Sequence, residues 1–230
     1  MTRQLFTYLF VILSGFSFVS CEKINSNDLA YDTPVYQSYK LVYDNYKNET
    51  TASAEFKVRN SSGVHIKLVE DSNVKFNGER HHDYWPLFHE YTWKTRGFAD
   101  VDFIYNKSWD RDFVNSIYTD DIAYTTIPND LDEIDLFSSG RLYWNGSPLG
   151  YDESITISIE QSGTTISKTA SRRNAEYIYL DSDDMRNLYP GSATIYLERE
   201  KRYRLDEEDG YAGGKKIIIM KDRRQIYLYE

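Results

Sequence analysis

Apolar and polar residues alternate along most of this chain with a period of two, the spacing of a strand that turns one face to a core and the other to water. The alternation is strict in Ala54-Glu55-Phe56-Lys57-Val58-Arg59, and Val64-His65-Ile66-Lys67-Leu68 repeats it after the turn Asn60-Ser61-Ser62-Gly63. Val74-Lys75-Phe76 follows and stops at Asn77-Gly78, a dipeptide suited to a tight hairpin turn. With Tyr39 to Tyr43 before them, and Tyr91-Thr92-Trp93, Ala99 to Phe103 and Phe113 to Tyr118 after them, these segments predict about seven short strands, as in a β-sandwich.

The second half has the same texture. Ile155, Ile157 and Ile159 alternate with Thr156, Ser158 and Glu160, and Ala193, Ile195 and Leu197 alternate with Thr194, Tyr196 and Glu198. Lys216 to Met220 is a denser apolar run, as expected of a central strand. Between the halves, Thr126-Ile127-Pro128-Asn129-Asp130 interrupts the pattern, which predicts two antiparallel β-sandwich domains, 34–128 and 129–230, each able to fold alone. Residues 68–78 align without a gap on 136–146, and Gly97-Phe98-Ala99-Asp100-Val101 matches Gly191-Ser192-Ala193-Thr194-Ile195. These echoes point to duplication, although β-proteins also reuse Asn-Gly turns independently.

Ahead of the strands the period disappears. Arg3 is followed by an apolar run from Leu5 to Val19 and then by Ser20-Cys21, which has the n-, h- and c-regions of an export signal over 1–20. The run falls short of the roughly 20 residues needed to span a bilayer, so a transmembrane anchor is disfavoured. Its end, Phe18-Val19-Ser20-Cys21, is similar to the lipobox of bacterial lipoproteins, in which the cysteine is acylated and becomes the first mature residue. Cys21 is the one cysteine in the chain, and an exported protein has no disulfide use for a single thiol. An ordinary cleaved signal with a coincidental cysteine is the plainer alternative. Residues 22–33 are polar, lack a period and end at Pro34, so 21–33 reads as acylated cysteine plus tether.

Charge removes some function classes. The net charge is −9, and residues 22–128 and 129–230 each carry about half of that excess acid. Nucleic-acid affinity rests largely on Lys and Arg contacts with phosphate, so no nucleic-acid partner is expected. The 21 tyrosines suit pleated, half-buried surfaces.

Candidate chemistry is sparse. The chain has no Gly-x-Ser-x-Gly elbow, His-Glu-x-x-His pair, phosphate loop or dinucleotide fingerprint. No catalytic residue, cofactor or metal is therefore expected. His81, His82 and His89 fall close together, and zinc or copper accepts imidazole with carboxylate. The plainer reading is a loop whose Tyr84, Trp85 and Phe88 pack down while His81 and His82 point to water, with His65 outward on its strand. Asp181-Ser182-Asp183-Asp184 and Asp206-Glu207-Glu208-Asp209-Gly210 offer oxygens, but calcium takes about six to eight and neither run matches an EF-hand loop. The second run reads as the solvated tip of a hairpin.

The tyrosines carry more information. If Leu142, Trp144, Ile178, Leu180, Ile195, Leu197, Ile226 and Leu228 face the core, period two puts Tyr143, Tyr177, Tyr179, Tyr196, Tyr227 and Tyr229 on outer faces. Exposed aromatic rings stack on sugars or anchor protein partners, and the six are the candidate binding residues. The plainer alternatives are that they divide between two sheets or cover the domain junction.

Lipobox, polar tether, and sandwiches with an Asn-Gly turn after one strand and a Gly-x-Ala-x-apolar strand later resemble the two-domain, immunoglobulin-like envelope lipoproteins common in Bacteroidota. The resemblance implies a place, the outer membrane, more than a job; some relatives accompany glycan uptake systems. The expectation is an all-β, non-enzymatic lipoprotein that meets the membrane through lipid on Cys21. It acts as a protein-interaction or structural module, or binds a surface glycan through its aromatic side chains.

Overall fold

The alternating segments become strands in a computed structural model that describes residues 23–86, 89–108 and 110–230. The first half contains β1 (Lys23–Asn25), β2 (Val35–Asp44), β3 (Glu49–Val58), β4 (His65–Lys67), β5 (Asn73–Phe76), β6 (Glu79–Arg80), β7 (Asp83–Trp85), β8 (Glu90–Arg96), β9 (Val101–Ser108) and β10 (Arg111–Ile117). The second contains β11 (Glu133–Asp135), β12 (Gly140–Tyr143), β13 (Glu153–Gln161), β14 (Thr164–Ala170), β15 (Tyr177–Leu180), the short helix α1 (Ser182–Met185), β16 (Gly191–Tyr203) and β17 (Gly214–Tyr229). The fold is all-β. Asn77 and Gly78 have φ of 51° and 81°, the paired left-handed values that let a two-residue turn join β5 to β6.

The sheets join differently from two closed antiparallel sandwiches. One sheet of eleven strands runs in the order β1-β4-β3-β2-β17-β16-β13-β14, with β8 and then β7 beside β3 and β11 beside β17. The sheet β10-β9-β5-β6 covers one end of it, and the pair β12-β15 covers the other. The long sheet is mixed. β17 runs parallel to β2 through Gly214–Lys221 and parallel to β11 through Tyr227–Tyr229, and β1 runs parallel to β4. A hairpin leaves a turn signature in the sequence, whereas a parallel neighbour arrives from a distant segment and leaves none.

β17 explains how one sheet serves two cores. Its even-numbered residues Ile218 and Met220 lie in the first core and Ile226 and Leu228 in the second. Residues of one parity share one face of a strand, so both covers pack on the same side of the long sheet. The cores part between Ile122 and Ile127, near the interruption at Pro128. However, Leu205, Ile218 and Met220, which a division at 128/129 assigns to the second domain, belong to the first core.

Two further expectations change. The supposed tether is docked: β1 pairs with His65–Lys67, Ser26–Asp28 forms a 3-10 turn, and Ile24 and Leu29 pack against the first core. The Val69 N–H donates to Ser26 Oγ at 2.9 Å, fixing this segment to the body. Two apolar residues five apart show no strand period, which is why the sequence reads as a linker. The echoes also land on unlike places. Asn77-Gly78 turns a hairpin, but after Asn145-Gly146 the chain leaves, with Asn145 bridging to Thr126 and β12 pairing with β15. Gly97 lies between β8 and β9, whereas Gly191 opens β16. The signal segment and Cys21 fall outside the described residues.

Candidate functional site

The six tyrosines occupy outer positions, but on opposite sides of the second module. Tyr143, Tyr177 and Tyr179 stand on the outside of the β12-β15 cover, while Tyr196, Tyr227 and Tyr229 stand on the back of the long sheet. The alternation that places them is clean: Ile178 and Leu180 on one side, and Ile195, Leu197, Ile226 and Leu228 on the other, are buried in the core between. No single surface holds all six.

The cover presents the more compact group. Tyr143 pairs with Tyr177 and Arg141 with Tyr179 across two short antiparallel strands, so the four side chains form a square on one face. The rings of Tyr143 and Tyr177 lie 5.5 Å apart at a tilt of 54°, and the Arg141 guanidinium sits 4.6 Å from the centre of the Tyr177 ring. Tyr143 and Tyr179 are about half exposed, at 49% and 53%. Beside this face a cleft of about 200 Å³ opens between β11, β12 and α1, with Ile134, Leu142, Leu180 and Met185 and also Glu133, Asp135 and Arg141 in its wall. Sequence reasoning missed Arg141. It stands two residues before Tyr143, so period two already put both on one face; what the sequence did not show is that β12 pairs with β15.

On the back of the sheet the tyrosines are spread out. Tyr196 is half-buried between Ser158 and Arg223, its register partners on β13 and β17, and Tyr227 stands beside Ser192. Arg223 is drawn toward the other module, 3.8 Å from the Tyr46 ring centre.

The histidines divide as well. His65 lies on the face opposite buried Ile66 but is half-buried and engaged: its ring centre is 4.4 Å from that of His89, and its Nδ1 is 3.1 Å from Glu55 Oε1. Burial lowers its pKa, and the Glu55 carboxylate opposes part of that shift. His89 is 3% exposed, and its Nδ1 lies 3.3 Å from the Tyr84 hydroxyl. His81 is half-buried against Tyr91, which lowers its pKa too, while His82 is exposed. Tyr84 packs on Tyr91, but Trp85 remains 50% exposed, and Phe88 lies outside the described residues. Among the described residues no group of three or more His, Cys, Asp or Glu is arranged to hold a metal ion.

The acidic runs are spent on the protein. Asp181 caps α1 by accepting the Asp183 N–H, and Asp184 pairs with Lys168 at 2.8 Å. The run 206–210 joins β16 to β17 and is exposed at Asp206, Glu207, Glu208 and Gly210, but Asp209 is not solvated. Asp209 is 1% exposed and accepts the Val35 N–H at 2.9 Å, Lys107 Nζ at 2.7 Å and Arg111 Nη2 at 2.8 Å. Asp206 accepts the Ser116 N–H and pairs with Lys216, and Glu207 accepts the Val114 N–H. These two carboxylates occupy outward donors of β10, the edge strand of its sheet, and so blunt an edge open to strand addition.

No family model and no curated protein matches the chain. Among solved structures, a Ca²⁺-stabilised adhesin that helps an Antarctic bacterium reach out and bind ice is 13% identical, with a TM-score of 0.24, over 85% of this chain and 49% of that one. A 1.5-MDa bacterial ice-binding adhesin is 10% identical, with a TM-score of 0.23, over 84% and 65%. This chain spans about half the length of the first and just under two thirds of the second. Likeness at these scores assigns neither family nor ligand.

Proposed function

We propose that this chain is a non-enzymatic module of the bacterial cell envelope, held at the outer membrane by lipid on Cys21, which works through its surfaces as a protein-interaction or structural element. The observation that supports this reading is that the ionisable groups most removed from water are committed to holding the fold. Arg199 is spent on Glu153, and Asp209 on Lys107 and Arg111. The hairpin β16–β17 contributes to both cores, so the two modules share strands, a form suited to presenting a surface. The resemblance to envelope lipoproteins supplies the location.

The anchor is tested by labelling cells with a palmitate analogue. The wild type is expected to take the label and to sediment with the outer membrane, whereas Cys21→Ser does neither. Equal labelling of both removes the lipoprotein from the proposal. Cross-linking of the native protein in its membrane then tests the interaction role, with a reproducible stoichiometric envelope partner as the expected result.

A second reading, glycan binding, is favoured by the square of Arg141, Tyr143, Tyr177 and Tyr179, since rigid aromatic faces on a sheet stack on pyranose rings. A glycan array probed with the wild type and with Tyr177→Ala separates it from the first.

A further inference from the structure

We infer that the Arg141 face of the β12-β15 cover binds an anionic glycan, one whose sugar ring carries a carboxylate or a sulfate. This rests on the glycan-binding reading and adds to it the charge of the ligand.

Lys168 is neutralised by Asp184, Arg199 by Glu153, and Arg224 lies 3.5 Å from Asp132. Arg173 and Arg223 lie over the lone rings of Tyr151 and Tyr46, at 3.9 and 3.8 Å, whereas Arg141 adjoins a pair of rings and a cleft. Arg141 has no carboxylate within ion-pair distance among the described residues, in a half of the chain where acid exceeds base. Asp135, which lines the same cleft, is occupied with the Phe137 N–H at 2.8 Å and the Ser138 hydroxyl at 2.7 Å. The guanidinium is instead laid over the Tyr177 ring, which orients it without neutralising it. An arginine held this way, with the Tyr143 hydroxyl as its one other side-chain partner among the described residues, keeps its remaining in-plane N–H groups for an oxyanion, the partner its planar fork fits best.

The surroundings set the rest of the ligand. Tyr143 and Tyr177 give a tilted aromatic platform directly beside the cation, so a ring stacked there brings a substituent within reach of Arg141. The neighbouring cleft of about 200 Å³ is below the roughly 300–1,000 Å³ of sites that engulf a drug-sized molecule. It accepts one sugar unit or side group of a chain that otherwise lies across the surface. Glu133 and Asp135 also line the cleft and disfavour a second negative charge inside it, so the anionic group belongs beside Arg141. The Tyr196 side of the module serves as the internal control, since it faces the other way.

The test is affinity electrophoresis of the purified full-length chain in detergent through gels containing polygalacturonate, a sulfated dextran or neutral dextran. The expected result is retardation by the two anionic polymers and not by the neutral one. Arg141→Gln and Tyr177→Ala are each expected to weaken it by about tenfold or more, with Tyr196→Ser unchanged. Carboxylate and sulfate are told apart by which polymer retards more. Equal retardation by neutral dextran that Tyr177→Ala abolishes and Arg141→Gln leaves intact overturns the anionic preference while the glycan reading stands. Retardation by no polymer overturns both. Retardation that only Tyr196→Ser relieves places binding on the other face and overturns the assignment of the site.

Discussion

Arg199 and Glu153 form a buried ion pair, 1% and 8% exposed, between neighbouring strands β16 and β13. Arg199 also donates to Thr125 Oγ1 at 3.0 Å and to the carbonyls of Ser147 and Pro148 at 2.8 and 3.1 Å. It therefore fastens the segment between the two cores to the long sheet. Removing one partner of a buried pair leaves an uncompensated charge, which costs about 3–5 kcal/mol. Glu153→Gln and Arg199→Met singly are expected to lose stability of that order in urea melts. The double change Arg199→Met with Glu153→Leu is expected to lose less than the two single changes added together.

A fragment of residues 34–128 is expected not to fold on its own. It lacks the part of β17 that lies parallel to β2, and with it Ile218 and Met220 of the first core. β2 would then present an unpaired central edge. Circular dichroism melts of this fragment are expected to show no cooperative transition, whereas the whole chain melts cooperatively. A cooperative melt of the fragment alone would show that the hairpin is dispensable to the first core.

The strands, and most core positions on them, were legible because one face is wet and the other dry. Ile195 and Leu197, each 1% exposed, were readable from Thr194, Tyr196 and Glu198 between and beside them. The pairing of β17 with β2 was not, because parallel pairing of segments from opposite ends of the chain is decided by packing rather than by a turn. Asp209 misled for a related reason. An acidic run between two strands looks solvated until the fold brings Lys107 and Arg111 to it from a different sheet. The candidate tyrosines were placed on the correct faces, while their division between two sides depended on which strands share a sheet.

Substitutions at adjacent positions of β16 are expected to differ sharply. Ile195→Ala removes core and is expected to cost about 2–5 kcal/mol. Tyr196→Ser acts on a half-buried ring on the other face and is expected to cost within about 1 kcal/mol. Thermal melts of the two variants, side by side, check the register of the whole strand.

Stability is expected to fall as the pH drops below about 6.5, the ordinary histidine value. His65 and His81 have pKa values lowered by burial, so the unfolded chain binds their protons first. The stability they contribute is complete above the unfolded value and is lost as the pH falls through the folded ones. Melting temperature measured from pH 7.5 to 5 is expected to decline, and His81→Phe to flatten the decline. Unchanged slopes in that variant would assign the acid sensitivity elsewhere.

The parallel contact of β2 with β17 also sets how the molecule bears load. A pull applied at the amino end and resisted by a ligand on the second module is carried along these two strands in the direction of their axes. Their paired residues, from Gln37 with Gly214 to Asp44 with Lys221, are then strained together rather than peeled one after another. The three-residue pairing of β1 with β4 lies upstream of this ladder and is expected to yield first under such a pull, lengthening the amino-terminal segment before the body of the protein is stressed.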